Sequence, residues 1–134
     1  YVWYDANTKT VQKARELAAG LTSQAEIAKV FYQYVVSHMT YDNKKAKTVQ
    51  TGYLPSADDA LASGTGICFD YAALLAVMLR SEGIPTRMLI GTVKPENLYH
   101  SWNSVFLEGN WVWMDPTLDG TGHKEKDYIT ERIY

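Results

Sequence analysis

Residues 64–91 read GTGICFDYAALLAVMLRSEGIPTRMLIG, and the fold follows from how that run divides. From Cys68 to Glu82 the apolar residues Ala72, Leu75, Val77, Met78 and Leu79 cover more than one side of a helix, so this helix is expected to be the central, buried one. Gly83 suits a left-handed cap, and Pro85 forbids the helix to resume. TRMLIGTV, over residues 86–93, then reads as a strand. Cys68 is the sole cysteine, and it falls at the helix start, directly after the turn Gly64-Thr65-Gly66. Unpaired N–H groups and the positive end of the macrodipole favour an anionic sulfur there. That placement points to a nucleophile, although a lone free cysteine taken by itself reads as a small buried apolar residue.

Working outward, Ile27, Val30, Phe31, Tyr34 and Val35 recur at the spacing of one helical face and predict a helix over 23–39. Ser23 can cap it, with Glu26 in the reciprocal position. A weaker helix is predicted over 8–19, opened by Thr8 and closed by Gly20. Residues 42–55 are polar, carry Gly52 and Pro55, and read as a loop. Ser56 and Asp59 form another capping signature, for a short helix that stops at Gly64. Downstream, HSWNSVFL (100–107) and WVWMD (111–115) read as strands. Helices followed by a hairpin-built antiparallel sheet define an α+β fold, expected to occupy residues 1–134 as one domain.

With 134 residues, 46% of them hydrophobic and 21% charged, the chain is long enough to bury a core without covalent staples. Thirteen basic against fifteen acidic side chains leave a formal charge of −2. No field gathers a polyanion, and nucleic acid is not an expected partner. The basic cluster Lys44, Lys45 and Lys47 reads as a solvated loop. No apolar run approaches the roughly 20 residues of a membrane span. The first residue is Tyr1 rather than Met. That suggests a piece cut from a longer precursor, such as a secreted or cell-envelope bacterial protein that has lost a signal or anchor; one thiol fits the cytosol equally.

Two further residues give Cys68 chemical company. His100 shares a strand face with Trp102, Ser104 and Phe106, and Asp115 shares one with Trp111 and Trp113. A two-residue loop at Gly109-Asn110 would pair Asp115 with Ser104 and leave His100 on the order of 13 Å away along the strand. A four-residue loop, Leu107 to Asn110, would pair Asp115 with Trp102 and bring His100 within diagonal reach. A three-residue loop would put the two on opposite faces unless a bulge restored the parity. A Cys-His-Asp triad therefore requires the four-residue loop or a bulged equivalent. In such a triad the thiolate attacks, the imidazole carries the proton, and the carboxylate fixes the imidazole tautomer. Cys68 N–H is placed to stabilise an oxyanion, and the preceding glycines allow close approach of a substrate.

GTGICFDYAALLAVMLRSEGIPTRMLIG followed by HSWNSVFLEGNWVWMDPT resembles the core of the transglutaminase-like superfamily. The likeness covers roughly residues 25–118, including Tyr41-Asp42, Gly66, Tyr71, Gly83-Ile84-Pro85, Trp102, Trp113 and Pro116-Thr117. The resemblance implies a papain-like thiol fold, with Cys68 as nucleophile, His100 as the imidazole and Asp115 as the orienting acid. It also makes Tyr41, Gly66 and Trp102 the candidates for oxyanion and substrate contacts, with Tyr41 as the aromatic donor. Where the superfamily pattern commonly has alanine between histidine and tryptophan, this chain has Ser101. The acidic calcium sites of the large animal transglutaminases have no counterpart, so calcium activation is not implied.

The expected function is acyl transfer from amide bonds of peptides or proteins. Hydrolysis is favoured over transfer to an amine acceptor, because no accessory domain shields a thioester from water. The alternatives are a protein-glutamine transamidase and a binding or scaffolding module of the same fold. The last has no physical need for a complete Cys-His-Asp set. Zinc could draw ligands from Cys68, His100, Asp115 and His123. One thiol without a second cysteine or paired histidines is a weak metal signature, so no metal or cofactor is expected. The chain is expected to act as a monomer.

Overall fold

The computed structural model of the chain describes residues 8–44, 56–118 and 124–134. Within them, helices α1 (Thr8–Ala18), α2 (Gln24–His38), α3 (Ala57–Ser63) and α4 (Cys68–Ser81) precede the antiparallel strands β3 (Thr86–Val93), β4 (Leu98–Leu107), β5 (Asn110–Met114) and β6 (Tyr128–Ile133). Two short strands, β1 (Thr40–Tyr41) and β2 (Thr65–Gly66), lie between the helices. The predicted helix limits hold to within a residue or two. Ser23 Oγ accepts the Glu26 N–H at 3.4 Å, and Ser56 Oγ accepts the Asp59 N–H at 3.3 Å. Gly64 ends α3 in the left-handed conformation that its sequence position predicts. Most of the expected loop 42–55 lies outside the described residues, as do Lys45, Lys47 and His123.

As its composition predicts, α4 is the core helix: every residue from Tyr71 to Leu79 is buried. It contacts α1, α2 and α3, and it also packs on β3 and β4. Phe31, Val35, Leu74, Leu75, Met78, Leu79 and Ile84 fill the space between. Each such side chain contributes about 1.5–3 kcal/mol by leaving water. No helix among the described residues is long and apolar enough to cross a membrane.

The sheet order is β5-β4-β3-β6. The residues of β4 divide between two environments. Val105 joins the helical core, and the Asn103 amide donates to the Ala72 carbonyl at 3.1 Å. Trp102 joins Leu89 and Val93 in a second cluster with Trp113, Leu118 and Tyr128. The β4–β5 register places Ser104 opposite Trp113 and Asn103 opposite Met114, which continues to Trp102 opposite Asp115. That is the register the triad requires, but it is produced differently from expectation. Leu107 and Asn110 pair, and only Glu108 and Gly109 turn, both at positive φ (52° and 84°). A two-residue turn of this hand matches strand twist. The four-residue loop is therefore corrected to a two-residue turn shifted one position from Gly109-Asn110.

Two pairings were not foreseen. β1 and β2 run parallel, with Tyr41 opposite Gly66, and two-residue strands carry no readable period. β6 adds to the free edge of β3, with Tyr128 opposite Val93 and a register shift at Ile90/Gly91. Gly91 permits this approach, because a Cβ there would fall on the Ile129 carbonyl oxygen.

Ser101 is fully buried, and its Oγ has no hydrogen-bond partner among the described residues. Ser101→Ala is therefore expected to stabilise the protein by about 1 kcal/mol, since it removes a desolvated hydroxyl that earns nothing back. Urea denaturation checks this: the midpoint should rise with the slope unchanged.

Candidate active site

Cys68 opens α4 without a side-chain cap, because Ile67 at the N-cap offers no acceptor. The cap is supplied from inside the helix: Asp70 Oδ2 accepts the Ile67 N–H at 2.8 Å. Gly66 has a further local role. A Cβ at Gly66 would lie 2.5 Å from Asp70 Cβ and 2.7 Å from Asp70 Oδ2, so the glycine makes room for the capping carboxylate.

Cys68, His100 and Asp115, separated by the lengths of α4, β3 and β4, come together. All are buried, at 5%, 5% and 2% exposure. His100 Nε2 meets Asp115 Oδ2 at 2.7 Å, and Cys68 is near enough to His100 to act on its protonation. With Nε2 committed to the carboxylate, Nδ1 is the nitrogen left for the thiol. Burial alone would lower the imidazole pKa. The hydrogen bonds and charges of Asp115 and Cys68 outweigh it, and His100 is raised to about 9. Burial by itself would raise the Asp115 pKa, yet the bond to His100, with further bonds from Tyr128 and Thr117, holds it below the ordinary value.

Asp115 is gripped at both oxygens. Oδ1 accepts the Thr117 N–H (2.9 Å), Thr117 Oγ1–H (2.8 Å) and Leu118 N–H (3.1 Å). Oδ2 accepts from His100 and from the Tyr128 hydroxyl at 2.6 Å. The Tyr32 hydroxyl donates to the Asp115 carbonyl at 3.2 Å. Sequence reasoning missed Tyr128, because β6 itself went unread, and it treated Thr117 only as part of a supporting pattern. A hydroxyl two residues after an aspartate is the local signal that could have assigned the Oδ1 grip.

Tyr41 is 39% exposed and stands beside the start of α4. Burial raises its pKa, the nearby Cys68 adds to this, and a hydrogen bond with the Cys68 backbone opposes it. The Tyr41 hydroxyl thus lies near the backbone at the start of α4. Trp102 is 3% exposed and stacks on His100, ring centroids 6.1 Å apart and planes 17° apart, so it packs the imidazole. An aromatic pair not singled out from sequence, Phe69 and Tyr99, adjoins Cys68 and His100 in the chain with ring centres 5.9 Å apart. Tyr99 is 58% exposed.

A cavity of about 280 Å³ borders Asp115 on its α2 side, lined by Lys29, Tyr32, Val112, Trp113 and Met114 among others, and Cys68 is not among its walls. No group of three His, Cys, Asp or Glu side chains among the described residues is arranged to hold a metal ion.

A cysteine-led helix packed on an antiparallel sheet, with a histidine on one strand and an aspartate just past the end of the next, is a papain-like arrangement. The transglutaminase-like superfamily pattern matches residues 11–116, and the chain belongs to that superfamily. It is 37% identical over 79 residues to an uncharacterized protein of Mycobacterium leprae, covering 52% of this chain and 28% of that one. The crystal structure of a provisionally assigned cysteine protease from Cytophaga hutchinsonii matches with a TM-score of 0.79 at 17% identity, over 100% of this chain and 45% of that one. The periplasmic domain of TgpA from Pseudomonas aeruginosa matches with a TM-score of 0.63 at 25% identity, over 84% and 44% respectively. The chain thus spans less than half the length of each of these proteins.

Proposed function

We propose that the chain is a thiol acyl-transfer enzyme that hydrolyses amide bonds of peptides or proteins, with Cys68 as nucleophile, His100 as proton carrier and Asp115 as orienting acid. The observation that most supports this reading is the buried 2.7 Å contact of His100 Nε2 with Asp115 Oδ2, with Cys68 beside the imidazole at the start of α4. The Cys68 sulfur, as thiolate, attacks the amide carbonyl carbon while the oxygen takes up negative charge against Cys68 N–H and the Tyr41 hydroxyl. The C–N bond then breaks as His100 Nδ1–H delivers its proton to the leaving nitrogen, and a thioester remains. Water gives a proton to Nδ1 as its oxygen attacks the thioester. The C–S bond breaks, releasing the acid and restoring the thiolate–imidazolium pair.

Water is the acceptor in this reading; a primary amine in its place would make the same thioester the intermediate of a transamidase. Intact-mass measurements on a glutamine-containing peptide and a backbone-amide peptide, with and without a millimolar primary amine, separate the two. The expected result is cleavage or deamidation that Cys68→Ala abolishes. Efficient amine incorporation with little hydrolysis would reverse the acceptor. Absence of both adduct and turnover across a broad panel would favour a binding module.

A further inference from the structure

The hydroxyl of Tyr128 bonds Asp115 Oδ2, the same oxygen that holds His100, and it comes from a strand outside the residues 11–116 matched by the superfamily pattern. We propose that Tyr128 is a positioning residue that weakens the hold of Asp115 on the imidazolium, so that His100 can surrender its proton. The proposal rests on the triad reading above.

Oδ1 already has three donors, from Thr117 and Leu118, and they fix the carboxylate plane without help. What Tyr128 adds is a short, charge-assisted bond to the other oxygen, which draws negative charge away from the contact with His100. The hydroxyl is held there by its own packing. The Tyr128 ring makes edge contacts with Trp102 (4.8 Å, 72°) and Trp113 (5.1 Å, 69°). Phenylalanine would keep those contacts and lose only the bond. The titratable groups around His100 are Cys68 from α4, Asp115 after β5 and Tyr128 from β6, while β3 presents Gly91 opposite it. Thr117 Oγ1, 3.2 Å from Nε2, is neutral. Tyr128 is therefore the group whose loss alters the charge on Oδ2 without vacating either partner of the His100–Asp115 pair.

The test compares wild type, Tyr128→Phe, Asp115→Asn and the double variant. His100 titration is followed by nitrogen-15 NMR, and the rate of Cys68 alkylation by iodoacetamide is measured across pH. In Tyr128→Phe the His100 midpoint should rise by about half to one pH unit, with the alkylation profile displaced to match. In the Asp115→Asn background the same change should move neither readout. An unchanged or lowered midpoint in Tyr128→Phe overturns the proposal. So does an equal displacement with and without Asp115, which would mean that the hydroxyl acts through packing. If wild-type His100 titrates at its ordinary value without linkage to alkylation, the triad reading itself fails. Normal linkage in wild type with no response to Tyr128→Phe removes only the role of Tyr128.

Discussion

Asp115→Asn is expected to reduce amide turnover by about a hundredfold to ten-thousandfold while the chain still folds. The carboxylate accepts from five donors, three at Oδ1 and two at Oδ2. An asparagine amide can present acceptor character at only one of those positions. With its NH₂ toward Thr117 and Leu118, it opposes N–H to N–H. With its NH₂ toward His100, it forces Nε2 to accept, which puts the single proton of a neutral imidazole on Nδ1 and removes the base facing Cys68. In either case the imidazolium loses its counter-charge. The mismatch costs about 1–3 kcal/mol of stability, as one or two buried donors go unsatisfied. The check is kcat/KM on a cleaved peptide beside thermal unfolding. Near-native turnover with an unchanged structure would take the acid role from Asp115.

The second large effect is on pH dependence. His100 is raised to about 9 in the folded protein against an ordinary 6.5. Its contribution to stability is therefore complete below about 6.5 and is lost as pH rises through 9, where the folded state releases the proton it had retained. Asp115 is lowered by the same interaction, so its contribution is present above the ordinary carboxylate value and fades as acid protonates it. The two describe one ion pair and are counted once. Urea unfolding across pH should show a plateau in weakly acidic solution and an alkaline decline on the order of a few kcal/mol. His100→Ala should remove that decline. Activity should fall on the same alkaline limb, because a neutral His100 has no proton for the leaving nitrogen. A stability profile flat from pH 6 to 10 would contradict the ion pair.

Much of this arrangement was legible in the chain because it rests on strong local signals. The apolar run of α4 ends at Gly83 and begins at Cys68, and nothing about tertiary packing was needed to see that. The period of two in β4 and β5 placed His100 and Asp115 on compatible faces, and the register followed from the chemistry demanded of them. What escaped was non-local or depended on backbone conformation. Glu108 at positive φ is not a residue that announces a turn, so the four-residue loop Leu107–Asn110 was one pair too long while its register survived. The room that Gly66 leaves for Asp70, four residues on, shows only once the helix start is built. The burial of Trp102 against His100 is a packing outcome that an aromatic two residues after a histidine does not by itself announce. β6 lies in a short, mostly exposed stretch whose pairing partner is some 40 residues upstream, and a strand of that kind is specified by its neighbour's edge more than by its own side chains.

That edge has a further meaning during synthesis. A ribosome delivers β3, β4 and β5 well before residues 128–133, so β3 emerges with β4 on one side and bare backbone along the other. The bare side belongs to TRMLIGTV, a largely apolar run whose one charge, Arg87, lies near its start, the kind of segment that recruits strands from other chains. Gly91, in the middle of it, admits β6 closely enough to seal that side. Until β6 docks, the growing polypeptide carries an adhesive seam, and crowding among nascent chains on one messenger is the condition under which it would be filled by the wrong strand.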